Sequence, residues 1–152
     1  MSASVLHSGI YYKPGSLKAV TCRAGKAAME AFCREEGIAH EICGKVIVAV
    51  TDADLPALER IHERGVANGV DCALIDRGRL AELEPHAAGV RAIHVREAGI
   101  VNYRQVCERL AHRVREAVGE VVFGAKVTAV RTYPGELAAK WPTGVTAASS
   151  PG

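Results

Sequence analysis

The chain contains one almost continuous run of apolar residues, Lys45-Val46-Ile47-Val48-Ala49-Val50, which directly follows Gly44. A β-branched run without polar alternation is typical of a strand that is buried on both faces. A helix is predicted on each side of this strand. Apolar or small residues recur at the spacing of one helical stripe over residues 17–36 and again over residues 55–61. This alternation of helices and strands predicts an α/β or α+β fold.

The first helical stripe has a start signal and a stop signal. Ser16 follows a turn and is a suitable N-cap residue, and Gly37 stands where a C′ glycine ends a helix. Gly25 inside the helix costs about 1 kcal/mol relative to Ala, and we interpret it as a sign of a close backbone contact. For the second helix we predict a cap at Thr51 or Asp52 and a stop at Asn68-Gly69.

Weaker patterns predict the remaining elements. These are short strands at residues 38–43, 70–75 and 89–95, a helical turn at 79–83, a helix between Asn102 and Gly119, and strands at 121–123 and 127–130. From residue 132 onward the chain has no periodic apolar face and becomes rich in Pro, Thr, Ser, Ala and Gly. We therefore expect one domain over residues 1–131 and a flexible tail over residues 132–152.

Charge and apolar content exclude several classes of function. The 19 Lys and Arg against 17 Asp and Glu leave a formal charge of +2, too small for an electrostatic grip on nucleic acid or an anionic membrane. No apolar run approaches the roughly 20 residues that cross a bilayer, and the first residues lack the pattern of a signal peptide.

The cysteines and histidines point to a cytoplasmic protein without a metal site. The five cysteines are scattered and form no Cys-x-x-Cys pair, which is typical of reduced thiols in the cytoplasm. The six histidines show no H-x-x-x-H or H-x-x-E spacing, so we expect no metal centre.

The richest cluster of reactive groups occupies residues 7–18. It holds one imidazole, two phenols, two ammonium groups and two hydroxyls within 12 residues. His7 carries an imidazole, the side chain that most often acts as a general base, and Tyr11, Tyr12 and Lys18 have groups that bind a carboxylate. A solvated loop before a helix would have the same composition, so both interpretations stay open on composition alone. Four other cations are equally open candidates for an anion site: Lys45, Arg91, Arg96 and Arg104.

Residues 7–19, H-S-G-I-Y-Y-K-P-G-S-L-K-A, resemble a segment of the L-2-hydroxyglutarate dehydrogenase/oxidase family. These are FAD-dependent enzymes of the D-amino-acid-oxidase-like superfamily. The resemblance continues through residues 43–50, 68–70, 83–85 and 99–106, and it covers roughly residues 5–131. Several motifs in the same order make the resemblance much more specific than any one motif alone.

The sequence departs from this family in two ways. It contains no G-x-G-x-x-G turn of the kind that receives the FAD pyrophosphate, and residues 132–152 do not resemble the family's continuation. The resemblance therefore implies a partial FAD-dependent oxidoreductase fold that lacks the N-terminal dinucleotide-binding βαβ unit.

The resemblance implies oxidation of a small-molecule 2-hydroxy acid, L-2-hydroxyglutarate, to 2-oxoglutarate with FAD as the cofactor. It implies His7 as the catalytic base or an orienting group at the flavin face. It implies substrate or cofactor contacts from Ser8, Gly9, Tyr11, Tyr12 and Lys18. We expect the isolated chain to be inactive and to bind FAD weakly or not at all. The alternative is a non-enzymatic fragment or partner subunit that associates with another chain, or with itself, through exposed apolar surface.

Overall fold

The computed structural model describes the backbone of residues 4–133 and 136–140 and the side chains of residues 4–130. Contacts divide the chain into two compact units, Met1–Val106 and Cys107–Gly152. The tail predicted over residues 132–152 lies entirely outside the residues with described side chains, and residues 141–152 lie outside the described backbone as well.

The described residues form four α-helices. They are α1 at Leu17–Glu35, α2 at Leu55–Ala67, α3 at Arg77–Leu83 and α4 at Tyr103–Glu116. The Ser16 side chain accepts a hydrogen bond from the Ala19 N–H at 3.3 Å, so the predicted N-cap of α1 is confirmed. Gly37 has a φ of +64°, which is the left-handed conformation expected of the glycine after a helix. A single 3₁₀ turn, Asp52–Asp54, follows Thr51 and leads into α2.

All the strand pairings within the described part of the chain are antiparallel. Strands β1 (Ser4–Leu6), β2 (His40–Glu41) and β6 (Gly99–Val101) form one sheet in the order β1-β6-β2. Strands β3 (Lys45–Ala49), β4 (Cys72–Asp76) and β5 (Arg91–Val95) form a second sheet in the order β3-β5-β4. Strands β7 (Ala129–Tyr133) and β8 (Glu136–Lys140) pair in the second unit. Of the two predicted classes, this pairing makes the fold α+β.

The main core of the first unit lies between α2 and the β3-β5-β4 sheet. Ile93 and Val95 of the central strand β5 are fully buried, and Leu58 of α2 packs into the same cluster. Ile10, from the segment after β1, is buried in this cluster as well. A second cluster joins α1 to the β1-β6-β2 sheet through Cys33, Ile38, Val101 and Val106.

The prediction of a strand buried on both faces at residues 45–50 is wrong in its burial. Strand β3 ends at Ala49, the only fully buried residue in it, and Val50 is 64% exposed. The reason is that β3 is an edge strand of an antiparallel sheet whose core face packs against α2. Such a sheet need bury only one face.

Three other local predictions differ from the structure. Residues 121–123 form no strand, and the strand predicted at 38–43 shrinks to His40–Glu41. A Cβ added at Gly25 would meet no atom within 4 Å among the described residues, so this glycine does not mark a close contact. Strand β7 continues past the expected domain boundary at Arg131 as far as Tyr133, although the boundary itself stays a prediction.

Candidate functional site

The loop of residues 7–12 connects β1 to the turn before α1, and its shape depends on Gly9. Gly9 has a φ of +89°, a backbone conformation that residues other than glycine rarely adopt. The Tyr12 N–H donates to the Gly9 carbonyl oxygen at 3.2 Å, which closes a tight turn. Ile10, inside that turn, points into the main core and is 1% exposed. The turn thus places a buried anchor between the two tyrosines and His7.

Side chains from α1 hold the first half of the loop through its carbonyl groups. The Cys22 thiol lies 3.6 Å from the His7 carbonyl oxygen, and the Arg23 guanidinium donates to the Ser8 carbonyl oxygen at 3.3 Å. Arg23 also forms an ion pair with Glu97 and donates to the Gly69 carbonyl oxygen at 3.0 Å. A charged hydrogen bond of this kind fixes the loop more firmly than a neutral one.

The end of α2 holds the second half of the loop. The Asn68 amide donates to the carbonyl oxygens of Gly9 and Tyr12 at 3.2 Å and 2.9 Å, and Arg64 donates to that of Tyr11 at 3.5 Å. Gly65 allows this approach, since a Cβ there would lie 2.8 Å from Ile10 Cγ1. The loop backbone is therefore tied to both helices that flank it.

A small open cavity of about 100 Å³ lies against this loop and is lined by residues 7–12 and Lys45. Lys45 is the first residue of β3, and its Nζ atom lies 4.7 Å from the centroid of the Tyr11 ring. At this distance the ammonium group is attracted to the aromatic face. The fold thus adds a cation from a separate strand to the imidazole and phenols of the loop.

Partial burial changes the acid–base properties of this cation and of the ring below it. Burial lowers the pKa of Lys45 and raises the pKa of Tyr11, because both charged forms lose hydration. No carboxylate among the described residues lies within ion-pairing distance of Lys45. The Ser8 hydroxyl is also buried and has no hydrogen-bond partner within the described part of the chain. Unpaired polar groups at a cavity are typical of a ligand site.

The structure brings together most of the residues that the sequence singled out. His7, Ser8, Gly9, Tyr11 and Tyr12 all line the cavity, whereas Lys18 is exposed on the first turn of α1 and does not. Lys45 was grouped in the sequence with Arg91 and Arg96, but those arginines face Glu59 and Asp71 at 3.6 Å and 2.6 Å. Nothing local distinguished Lys45, since its nearness to Tyr11 arises from the fold.

The described residues contain neither a metal-binding cluster nor a helix that could span a membrane. Within them, no set of three or more His, Cys, Asp or Glu side chains is arranged to hold a metal ion. None of their helices combines the length and the apolar character needed to cross a membrane.

Comparison with known proteins places the chain in a family. It matches the FAD dependent oxidoreductase family over residues 1–149. The chain belongs to this family. Its relatives include L-2-hydroxyglutarate dehydrogenases of Indibacter alkaliphilus, 44% identical over 132 residues, and of Escherichia coli K12, 37% identical over 132 residues. The mitochondrial L-2-hydroxyglutarate dehydrogenase of Homo sapiens is 41% identical over 130 residues.

These matches cover most of this chain but a minor share of the relatives. The matched segments are 86%, 87% and 85% of this chain and 33%, 31% and 28% of the Indibacter, Escherichia and human proteins. The chain therefore spans about a third of the length of the relatives it matches.

Two solved structures share the fold. Dithionite-reduced, FAD-bound L-α-glycerophosphate oxidase from Mycoplasma pneumoniae superposes with a TM-score of 0.80 at 20% identity, over 96% of this chain and 40% of that one. Glycine oxidase from Geobacillus kaustophilus superposes with a TM-score of 0.77 at 19% identity, over 97% of this chain and 42% of that one. The predicted partial FAD-dependent oxidoreductase fold is confirmed.

The family name implies FAD, and the described residues fit only a small part of it. The open cavity has a volume of about 100 Å³, and the buried Ser8 hydroxyl at its wall has no partner among the described residues, so it offers room for one small polar molecule or for part of a larger one. It does not accommodate a flavin joined to adenine through a pyrophosphate. The sequence also lacks the G-x-G-x-x-G turn that would bind the pyrophosphate. The described residues therefore do not form a complete FAD site.

Proposed function

We propose that this chain is a segment of an FAD-dependent enzyme that oxidises L-2-hydroxyglutarate to 2-oxoglutarate. The observation that carries the proposal is the gathering of His7, Tyr11, Tyr12 and Lys45 around one cavity. An imidazole beside cationic and phenolic groups suits a substrate that must lose a proton and carries negative charge. The identity of 37–44% to proteins named L-2-hydroxyglutarate dehydrogenase supports this substrate.

The chemistry assigns separate tasks to these side chains. Oxidation of a 2-hydroxy acid removes a proton from the hydroxyl oxygen and a hydride from the adjoining carbon, and FAD, when bound, supplies the hydride acceptor. His7 accepts the hydroxyl proton or orients the hydroxyl group. Tyr11 and Tyr12 contact the substrate or the cofactor, as Ser8 and Gly9 do through their places in the loop. The exposed position of Lys18 makes it the weakest of these contacts.

By itself the chain would hold FAD weakly and would not turn over substrate. Its cavity fits no more than part of the cofactor, and it spans about a third of the relatives' length. Titration of the purified chain with FAD, followed by flavin fluorescence, measures the binding. An assay with L-2-hydroxyglutarate and an artificial electron acceptor measures turnover. Stoichiometric binding with turnover would contradict this part of the proposal.

Substrate identity is tested by a graft. Residues 5–131 replace the matching segment of the Escherichia coli L-2-hydroxyglutarate dehydrogenase, and the visible absorption of the flavin shows whether the graft folds. We expect the yellow graft to oxidise L-2-hydroxyglutarate and not its D-enantiomer. A yellow graft that oxidises a different 2-hydroxy acid instead would disprove the proposed substrate.

One observation favours the alternative of a partner that acts by association. On the β1-β6-β2 sheet, Val5 and Ile100 are paired neighbours on one face and are 43% and 37% exposed. Such a pair invites contact with another chain. Size-exclusion chromatography with light scattering tests it, and a strictly monomeric chain at all concentrations would count against self-association. The cytoplasmic location stays a prediction, since the human relative is named mitochondrial.

A further inference from the structure

Lys45 differs from Lys26, the other partly buried lysine of the first unit, in having no carboxylate partner among the described residues. Lys26 forms an ion pair with Glu30 one helical turn away. Lys45 is half-buried at the start of β3, and no carboxylate among the described residues lies within ion-pairing distance of it. Taking an ammonium group out of water without a partner is unfavourable. A bound anion would compensate for the hydration that Lys45 loses.

The surroundings of Lys45 place that anion in the cavity beside His7. The Nζ atom lies over the Tyr11 ring at 4.7 Å, and both side chains line the same cavity as His7. The contact with the aromatic face leaves N–H donors of the ammonium group available to a ligand. Lys45 belongs to β3 and His7 lies in the loop after β1, so two separate elements supply the cation and the imidazole of the cavity.

We propose that Lys45 determines specificity by binding the carboxylate of the substrate that lies farther from the reacting carbon. This rests on the function proposed above. In a dicarboxylic 2-hydroxy acid, one carboxylate is bonded to the reacting carbon and must lie close to His7. The other is separated by a short methylene chain and reaches a cation on another element. The site would then accept dicarboxylates and discriminate against 2-hydroxy acids that end in a methyl group.

Binding to the full 152-residue chain tests this directly, with glutarate as the probe and butyrate as the monocarboxylate comparison. The chain is labelled with ¹³C at lysine Cε, and the signal that disappears in Lys45→Met is assigned to Lys45. We expect glutarate to shift this signal and butyrate to bind at least about tenfold more weakly, as expected for loss of one charged hydrogen bond. Lys45→Arg also removes the lysine signal and so repeats the assignment, and the shift itself is recorded in the unaltered chain. The test therefore survives if Lys45→Met folds poorly.

Substitutions of Lys45 test whether its charge binds the probe. Lys45→Met should weaken glutarate binding about tenfold or more, whereas Lys45→Arg, which keeps the charge, should retain most of it. Lys126→Met is the control for charge alone, because Lys126 is exposed and belongs to the other unit. An unshifted Lys45 signal, or equal glutarate binding by Lys45→Met, would overturn the proposal.

The two proposals fail in different ways. In the grafted enzyme, Lys45→Met should lower kcat/KM for L-2-hydroxyglutarate at least about tenfold more than kcat/KM for L-2-hydroxybutyrate. If the graft oxidises L-2-hydroxyglutarate but glutarate leaves Lys45 unaffected, only the role of Lys45 is wrong. If a yellow graft has no activity on L-2-hydroxyglutarate, the proposed function is wrong, whatever glutarate does at Lys45.

Discussion

The side-chain amide of Asn68 donates a hydrogen bond of 2.9 Å to the carbonyl oxygen of Tyr12, 56 residues earlier in the chain. The same amide group donates to Gly9, so one side chain at the end of α2 holds both ends of the turn that carries Tyr11. Gly9 and Tyr12 are also joined by a backbone hydrogen bond of 3.2 Å. The position of the two tyrosines therefore depends on a residue that lines no part of the cavity.

Replacing Asn68 should loosen the loop. Asn68→Ala removes the amide donor from the Tyr12 carbonyl oxygen and leaves the Gly9 carbonyl oxygen with the Tyr12 N–H alone. We expect a loss of about 1–3 kcal/mol in the free energy of unfolding. Asn68→Asp should cost more at neutral pH, since a carboxylate would face two carbonyl oxygens. Urea denaturation measures both, and hydrogen exchange of residues 8–13 shows whether the loop opens first. Gln105→Ala, at an exposed position of α4, is the control. If Asn68→Ala is as stable as the control, the hydrogen bonds of the Asn68 amide do not stabilise the loop.

Two glycines should respond to the same substitution with opposite signs. A Cβ at Gly65 would lie 2.8 Å from Ile10 Cγ1 and 2.9 Å from Cys72 Sγ, so Gly65→Ala should destabilise the chain by about 1–3 kcal/mol through overpacking. Gly25 lies in the interior of α1 with no described atom near a Cβ, so Gly25→Ala should stabilise by about 0.5–1 kcal/mol. Thermal and chemical unfolding of the two variants give the comparison, and a shift in the same direction would contradict it.

His7 is tested in the grafted enzyme. His7→Gln should lower turnover by about 10²–10⁴-fold if the imidazole is the general base, with little change in stability. His86→Gln, at an exposed loop position outside the cavity, provides the control. Unchanged turnover at saturating substrate would reduce His7 to a packing residue.

Asp54 should make the chain less stable in acid. Its carboxylate accepts hydrogen bonds from the Thr51 N–H, the Thr51 hydroxyl and the Val50 N–H at 2.9, 3.0 and 3.1 Å. Those bonds hold the pKa of Asp54 below its ordinary value. A lowered carboxyl pKa adds stability above the pKa of the unfolded chain, and this stability is lost as the pH falls through the folded pKa.

Thermal unfolding between neutral and strongly acidic pH measures the effect. Asp54→Asn should lower the melting temperature at neutral pH and should flatten its dependence on acid. Asp52→Asn, in the same 3₁₀ turn, is the matched control. If the melting temperature falls with pH in the same way in Asp54→Asn and in the unaltered chain, the hydrogen bonds to Asp54 do not cause the acid sensitivity.

The elements with complete local signals were predictable. Helix α1 has its cap at Ser16, its stop at Gly37 and a continuous stripe between them, and each is a matter of neighbouring residues. Strands β1 and β6 were missed because three residues are too few to show a period. The burial of β3 was misjudged because an apolar run does not reveal whether its neighbours pair parallel or antiparallel.

The site was predictable only as far as its residues adjoin in sequence. His7, Tyr11 and Tyr12 stand together in the chain, and their chemistry was visible there. Lys45 comes close to them only through the tertiary fold. Asn68 does end α2 as predicted, but its amide reaches the loop only in the folded chain, so its second role was not visible in the sequence. The resemblance to a flavoenzyme family supplied what composition could not, namely a reason to prefer a reactive loop to a solvated one.

The loop is held by its carbonyl oxygens, and this has an evolutionary consequence. Every residue type offers the same carbonyl group, so Asn68, Arg64 and Arg23 would grip the backbone whatever side chains stood at positions 11 and 12. Gly9, with its positive φ, and Ile10, in the core, are the positions that the scaffold dictates. Positions 11 and 12 are therefore free to vary by mutation on an unchanged frame, which lets descendants of this chain acquire new substrates without first acquiring a new fold.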